Sequence, residues 1–226
     1  MSYLFVVAHP DDEVLGAGAT IYKLTQAGET VNVCIMCGEV GARNERPKLE
    51  LLADDINESL KILGVNKVYK GTFPNIEMNM VPHLHLVQFI EKTIIETGAK
   101  IVFTHHPNDL NNDHLHTSLA CQAAIRIFQR RSDIASIKEL LFMEVPSASE
   151  WSVNKSMGQF SPNTFIEVGK EAVTKKVEAL SLYRGVMRPF PHPRSQEVLE
   201  GLAAYRGGQA GINYAEAFES IFRRGF

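Results

Sequence analysis

Two short stretches concentrate the side chains able to do chemistry. Ala8-His9-Pro10-Asp11-Asp12-Glu13 sets an imidazole beside three carboxylates, directly after the apolar run Leu4 to Ala8. Proline and aspartate favour turns, and acidic residues complement the positive end of a helix, so a turn opening a helix accounts for Pro10, Glu13 and one aspartate. It leaves His9 and the second aspartate unexplained, because an unpartnered charge at the end of a buried strand is expensive to desolvate. A divalent cation removes that cost. The second stretch, Thr104-His105-His106-Pro107-Asn108-Asp109-Leu110-Asn111-Asn112-Asp113-His114-Leu115-His116, holds four of the eight histidines. Asp113 is suited to capping a following helix. A His/Asp/His set drawn from both stretches suits zinc and leaves one coordination position for water.

Such residues need elements to carry them to one place. Strand-like and helix-like segments alternate along the chain, which predicts βαβ units and a mainly parallel, doubly wound Rossmann-like α/β sheet flanked by helices. Strands are expected at Leu4 to Ala8, Val31 to Met36, Lys67 to Tyr69, Ile101 to Thr104, Leu140 to Val145 and Thr164 to Val168. Helices are expected at Leu15 to Ala27, Lys48 to Leu63, Val81 to Thr97, Leu115 to Arg131, Lys170 to Leu182 and Glu197 to Tyr205, three of them stopped by Gly28, Gly64 and Gly98. Both chemical stretches then follow strand ends, where open α/β sheets bind ligands. With no repeat and no linker, residues 1–226 read as a single domain with an irregular C-terminal elaboration from about residue 183.

Composition narrows the function. Hydrophobic residues make up 45% and charged residues 22% of the chain, and no apolar run reaches the roughly 18 residues of a membrane helix. A net charge of −3 supplies no global basic field for nucleic acid or anionic lipid. The N-terminus lacks the basic region of a signal peptide and reads as a first strand, so the expectation is a cytoplasmic protein. Cys34-Ile-Met-Cys37 has redox or zinc-ribbon spacing, but no second pair exists and Cys34 lies in an apolar run, which favours core packing. Gly16-Ala17-Gly18 resembles a dinucleotide-binding start; Ile21 at the third glycine position and the three acids before it argue against a pyrophosphate. Those glycines are expected to let the helix pack close to the sheet.

His9-Pro10-Asp11-Asp12-Glu13 with Leu15-Gly16, paired with Asp109-Leu110-Asn111-Asn112-Asp113-His114, resembles the PIG-L/LmbE-like de-N-acetylases. Softer matches run through Gly38-Glu39, Phe73-Pro74-Asn75, Glu144-Val145-Pro146, Tyr183, His192-Pro193-Arg194-Ser195 and Ala215-Glu216-Ala217-Phe218. The resemblance implies one zinc ion per chain on His9, Asp12 and His114, with Asp11 as general base. Many members of that family carry a histidine three residues before the metal histidine; here the position is Asn111, which can donate a hydrogen bond but not a proton, with His106 as a substitute. Arg43 and Arg46, in the loop after Gly38-Glu39, are expected to bind substrate, and His192 to reach it from the proline-rich tail. The implied activity is a zinc-dependent hydrolase that removes the acetyl group from an N-acetylglucosamine-type sugar or sugar conjugate. The competing readings are a metal-dependent hydrolase of another amide or ester and a non-catalytic sugar-binding module. The expected partner is a small N-acetylated sugar, without nucleic acid or a membrane span, and a homo-oligomer is compatible with the sequence.

Overall fold

The first strand, β1 (Ser2–Val7), shows why the sheet sits at the centre: Leu4 and Val6 point to one face, Phe5 and Val7 to the other, and all four are fully buried. The computed structural model describes residues 1–38, 49–153 and 158–225. After β1 come α1 (Asp12–Gln26), β2 (Thr30–Ile35), α2 (Leu49–Ile62), β3 (Lys67–Lys70), a short 3₁₀ turn (Met78–Met80), α3 (His83–Thr97) and β4 (Ile101–His105). Then follow α4 (Asn112–Ala124), α5 (Ile127–Arg130), β5 (Glu139–Met143), β6 (Thr164–Glu167), α6 (Gly169–Leu182), α7 (Gln196–Ala210) and β7 (Ala215–Arg223).

The sheet order is β3-β2-β1-β4-β5-β7-β6, with β1 to β5 parallel and β7 antiparallel to both of its neighbours. The order reverses between β1 and β4, and the carboxyl ends of those two strands carry the two chemical stretches. One apolar layer packs the sheet against α1, α2 and α6 and includes the stacked rings of Phe5 and Phe103, 4.4 Å apart. The other packs it against α3 and α4 and takes in Cys34, Cys37 and Cys121, all buried. Burial pushes the Cys34 thiol up to about 12, which makes it inert as a nucleophile. No described helix is long and apolar enough to cross a membrane.

Two features differ from the pattern read in the sequence. The helix expected over Leu115 to Arg131 begins at Asn112, breaks after Ala124 and resumes as α5. Ile125 and Ile127 both belong to the core, and a continuous helix would set them roughly 200° apart, so the chain turns to bury both. The C-terminal stretch expected to be irregular carries α7 and the nine-residue β7, which fills the gap between β5 and β6. Its glutamates disguised it: Glu216 is buried, because Lys176 reaches it at 2.6 Å. Gly16 fulfils its expected part, since a Cβ there would meet the Met143 sulfur of β5 at 2.6 Å.

Candidate metal centre

The turn leaving β1 is held in an unusual shape. Asp11 has φ 101°, a left-handed conformation that costs a non-glycine residue of order 1–3 kcal/mol. Its amide donates to Glu13 Oε2 at 3.2 Å, while the Tyr183 hydroxyl of the distant C-terminal half donates to Glu13 Oε1 at 2.6 Å. Burial pushes the Glu13 carboxyl up to about 8. Its backbone carbonyl accepts from Val14 and Leu15, yet its side chain makes no capping bond to α1. A simple helix-start role for the Asp11 carboxylate is therefore not what the fold uses it for. Asp12 opens α1 and accepts the His9 amide at 2.9 Å, which fixes its Oδ2 beside the His9 ring.

From the other strand end, Asn111 caps α4 by accepting the Asp113 amide at 2.9 Å, so Asn111 rather than Asp113 is the cap. This places His114 in the first turn, with Asp113 and Asp109 on either side of the histidine pair. His9 donates from Nε2 to Asp113 at 2.9 Å, and His114 donates from Nδ1 to Asp109 at 2.9 Å. Asp109 is itself held by the Ser149 hydroxyl, and Asp113 by the amides of Ile76 and Met78. These two carboxylates set both tautomers, leaving lone pairs on His9 Nδ1 and His114 Nε2.

Those nitrogens lie 3.3 Å and 3.2 Å from the same oxygen, Asp12 Oδ2. Ligands bonded at about 2.0–2.2 Å around a tetrahedral zinc stand about 3.3 Å from one another, so this donor set fits a small divalent ion. The electrostatics point the same way. Burial would lower the His114 value, but the charges of Asp12 and Asp109 and their hydrogen bonds outweigh it and push it up to about 10. Burial likewise opposes the ionisation of Asp12, and the histidines overcome it and hold the carboxyl well below its ordinary range. The cluster is built to hold positive charge.

His105, Asp109 and His114 form a second cluster of candidate ligands. The His105 and His114 rings stack face to face with centroids 3.8 Å apart, so their in-plane lone pairs do not converge. His105 Nε2 is moreover taken by the Ala8 amide at 2.8 Å. His105 is a buried neutral prop for the His114 ring, its proton affinity lowered well below the usual by burial and by the charge of His114.

His9, Asp11, Asp12, Asn111, His114 and Arg194 all line one open cavity of about 390 Å³. Arg194 was singled out in the sequence only within a soft motif; here its guanidinium lies 3.7 Å from Asp11 and donates to Ser147 at 2.7 Å. His192 lines an adjoining cavity instead, with its ring edge on Trp151. His106 is packed between Phe142 and Phe160 with Glu219 at 3.6 Å, and it does not line the cavity. Arg43 and Arg46 lie outside the described residues. Asp109 and Asp113 stood in the quoted motif, but nothing in their spacing marked them as the partners that orient His9 and His114.

A family model described as GlcNAc-PI de-N-acetylase, PIG-L, matches residues 4–125. The chain is 28% identical to the uncharacterised deacetylase YaiS of Escherichia coli over 188 residues, which is 80% of this chain and 89% of that protein. It is 22% identical to the diacetylchitobiose deacetylase of Thermococcus kodakarensis, covering 96% of this chain and 82% of that one. A solved structure of a 4-carboxy-2-hydroxymuconate hydratase from Pseudomonas putida is similar at a TM-score of 0.79 and 23% identity, covering 100% and 98% of the two chains. That last likeness is one of fold, and it shows the fold supporting chemistry other than deacetylation.

Proposed function

The chain belongs to the PIG-L family, and from that membership we propose that it is a zinc-dependent hydrolase that removes the acetyl group from an N-acetylglucosamine-type sugar or sugar conjugate. One observation carries the reading: three metal-type donors converge on a cavity that also holds Asp11 and Arg194. His9, Asp12 and His114 would hold the ion, which supplies Lewis acidity towards the acetyl carbonyl and lowers the pKa of water it binds. Asp11, outside that ligand set, takes the proton of the attacking water. Arg194 stands beside it and keeps the carboxylate ionised; with the Asn111 amide it is placed to donate to the oxygen that gains charge as the carbonyl is attacked. The Asn111 oxygen is committed to its cap, so the amide nitrogen is its free end. Asp11 then returns its proton to the departing amine. No histidine acid is needed, consistent with the inward packing of His106. Arg43 and Arg46 complete this reading as substrate contacts.

Zinc-loaded protein should release acetate from N-acetylglucosamine conjugates and lose that activity on chelation, with about one ion per chain by metal analysis. A His9→Ala, His114→Ala double variant should lose the metal. Full metal content in that variant, or no acetate release across a panel of N-acetylated sugars, overturns the reading. The hydratase of the same fold makes the panel worth running against simple amides and esters as well.

A further inference from the structure

Beside the cavity that holds the metal-type donors lies a second one, of about 320 Å³, and the two share Ser147, Trp151 and Arg194 as a common wall. Its other walls bring in Arg184, Arg188 and His192. Three guanidinium groups thus face one small space in a chain whose net charge is −3. Their partners do not cancel them. Arg184 lies 3.4 Å from Asp55, and Arg194 is turned to Ser147 and, at 3.7 Å, to Asp11 of the first cavity. Arg188 has no ion-pair partner for its side chain among the described residues. Burial and the positive charges of Arg194 and Arg188 together lower the proton affinity of His192, as a positive local field requires.

The walls are also fixed in place. The Arg188 amide donates to the Arg194 carbonyl at 3.4 Å, and the Arg194 amide to His192 Nδ1 at 3.0 Å, which closes the loop that carries them. Ser147, whose hydroxyl accepts from Arg194, is held at φ 74° with its amide on Glu150 at 2.6 Å. Backbone strain at a residue shared by two cavities is the kind a fold retains where a side chain must be aimed.

We propose that this second cavity binds an anionic group, phosphate or carboxylate, carried by the same sugar whose acetamido group enters the first. The proposal rests on the deacetylase reading for what occupies the first cavity. Guanidinium forks match the paired oxygens of phosphate and carboxylate, and such charge-assisted bonds are the strong ones. A space of this size takes one such group and not a polyanion.

The test uses deacetylated ligands, so that binding is read without turnover. Zinc-loaded protein is titrated by calorimetry with methyl glucosaminide, glucosamine 1-phosphate and the carboxymethyl glycoside of glucosamine, in the wild type and in Arg184→Gln, Arg188→Gln. Both arginines are exposed, and the Arg184 backbone keeps its bond to Asp55, so the double variant retains the fold's contacts. At least one of the anionic ligands should bind roughly 10-fold or more tighter than the neutral one, and the advantage should fall to about one in the double variant. The tighter of the two anions identifies the group. Equal binding of all three ligands, or an advantage that survives in the double variant, overturns the proposal. If the advantage and its loss are seen but none of the three acetylated counterparts releases acetate, the anion site stands and the deacetylase reading falls. If acetate is released and the affinities are equal, the reverse holds.

Discussion

Helix α1 meets buried charge twice, and the two encounters differ in kind. After its kink at Ala17, the amides of Ala19 and Thr20 are capped by the Glu216 carboxylate, which Lys176 approaches at 2.6 Å. Each charge there has an opposite charge or a backbone donor, and the adjoining cavity, about 20 Å³, has room for roughly one water. At its N-terminus, Asp12 lies between two histidines whose unused nitrogens point with it into about 390 Å³ of open space. Both clusters are deeply buried and both are ion-paired. Buried charge by itself therefore does not mark function in this fold; lone pairs converging on a space large enough for a ligand do.

The largest expected effect that sharpens this contrast is at Asp11. Asp11→Asn keeps the shape but cannot accept a proton, so turnover should fall about 10²-fold to 10⁴-fold, some 3–5 kcal/mol of barrier. Zinc content should hold. Acetate release and metal measured on one preparation decide it: near-normal turnover removes Asp11 as base, and loss of both moves it into the ligand set.

Next in size is the opposite outcome at the other cluster. Lys176→Met leaves Glu216 buried without its cation and should cost about 3–5 kcal/mol of folding free energy in urea denaturation. Activity per folded molecule should be unchanged. Adding Glu216→Gln, which still caps Ala19 and Thr20, should restore most of the loss. A Lys176→Met protein that is fully stable yet inactive would erase the distinction drawn here.

Asp109→Asn offers a smaller change. The amide can still accept from His114, yet it no longer sharpens that ring's basicity, so zinc affinity should drop about 10-fold to 100-fold by competition with a chelator. Unchanged affinity would make Asp109 a structural residue only.

The smallest effect concerns His106. Burial lowers its proton affinity more than Glu219 and Asp109 raise it, so the unfolded chain takes up a proton that the folded one resists. The stability it allows is complete above the ordinary value of 6.5 and declines as pH falls below it. In His106→Gln, denaturation midpoints between pH 7 and 5 should fall less steeply than in the wild type. Parallel curves would show that His106 does not titrate as its packing implies.

Much of the architecture was legible from local pattern. Short β-branched runs such as Val31 to Met36 and helices stopped by Gly28, Gly64 and Gly98 write their own boundaries, since burial on both faces and helix termination are decided within a few residues. β7 was hidden because Glu216 reads as a surface residue until Lys176, 40 positions away, is beside it. His106 and His114 look alike in the sequence; the end of β4 sends one into an aromatic pocket and the other into the cavity.

By itself, the sequence determined which side chains were available and that both groups follow strand ends, because hydrophobic periodicity and turn chemistry act over short range. Only the tertiary structure decided which nitrogen of His9 and His114 is left with a lone pair, that Asp11 is drawn into a left-handed turn by Glu13 and Tyr183, and that Arg194 enters the same cavity. The physical reason is distance along the chain. Ring tautomers and carboxylate partners are set by hydrogen bonds between groups 104 and 170 residues apart, which no local pattern encodes.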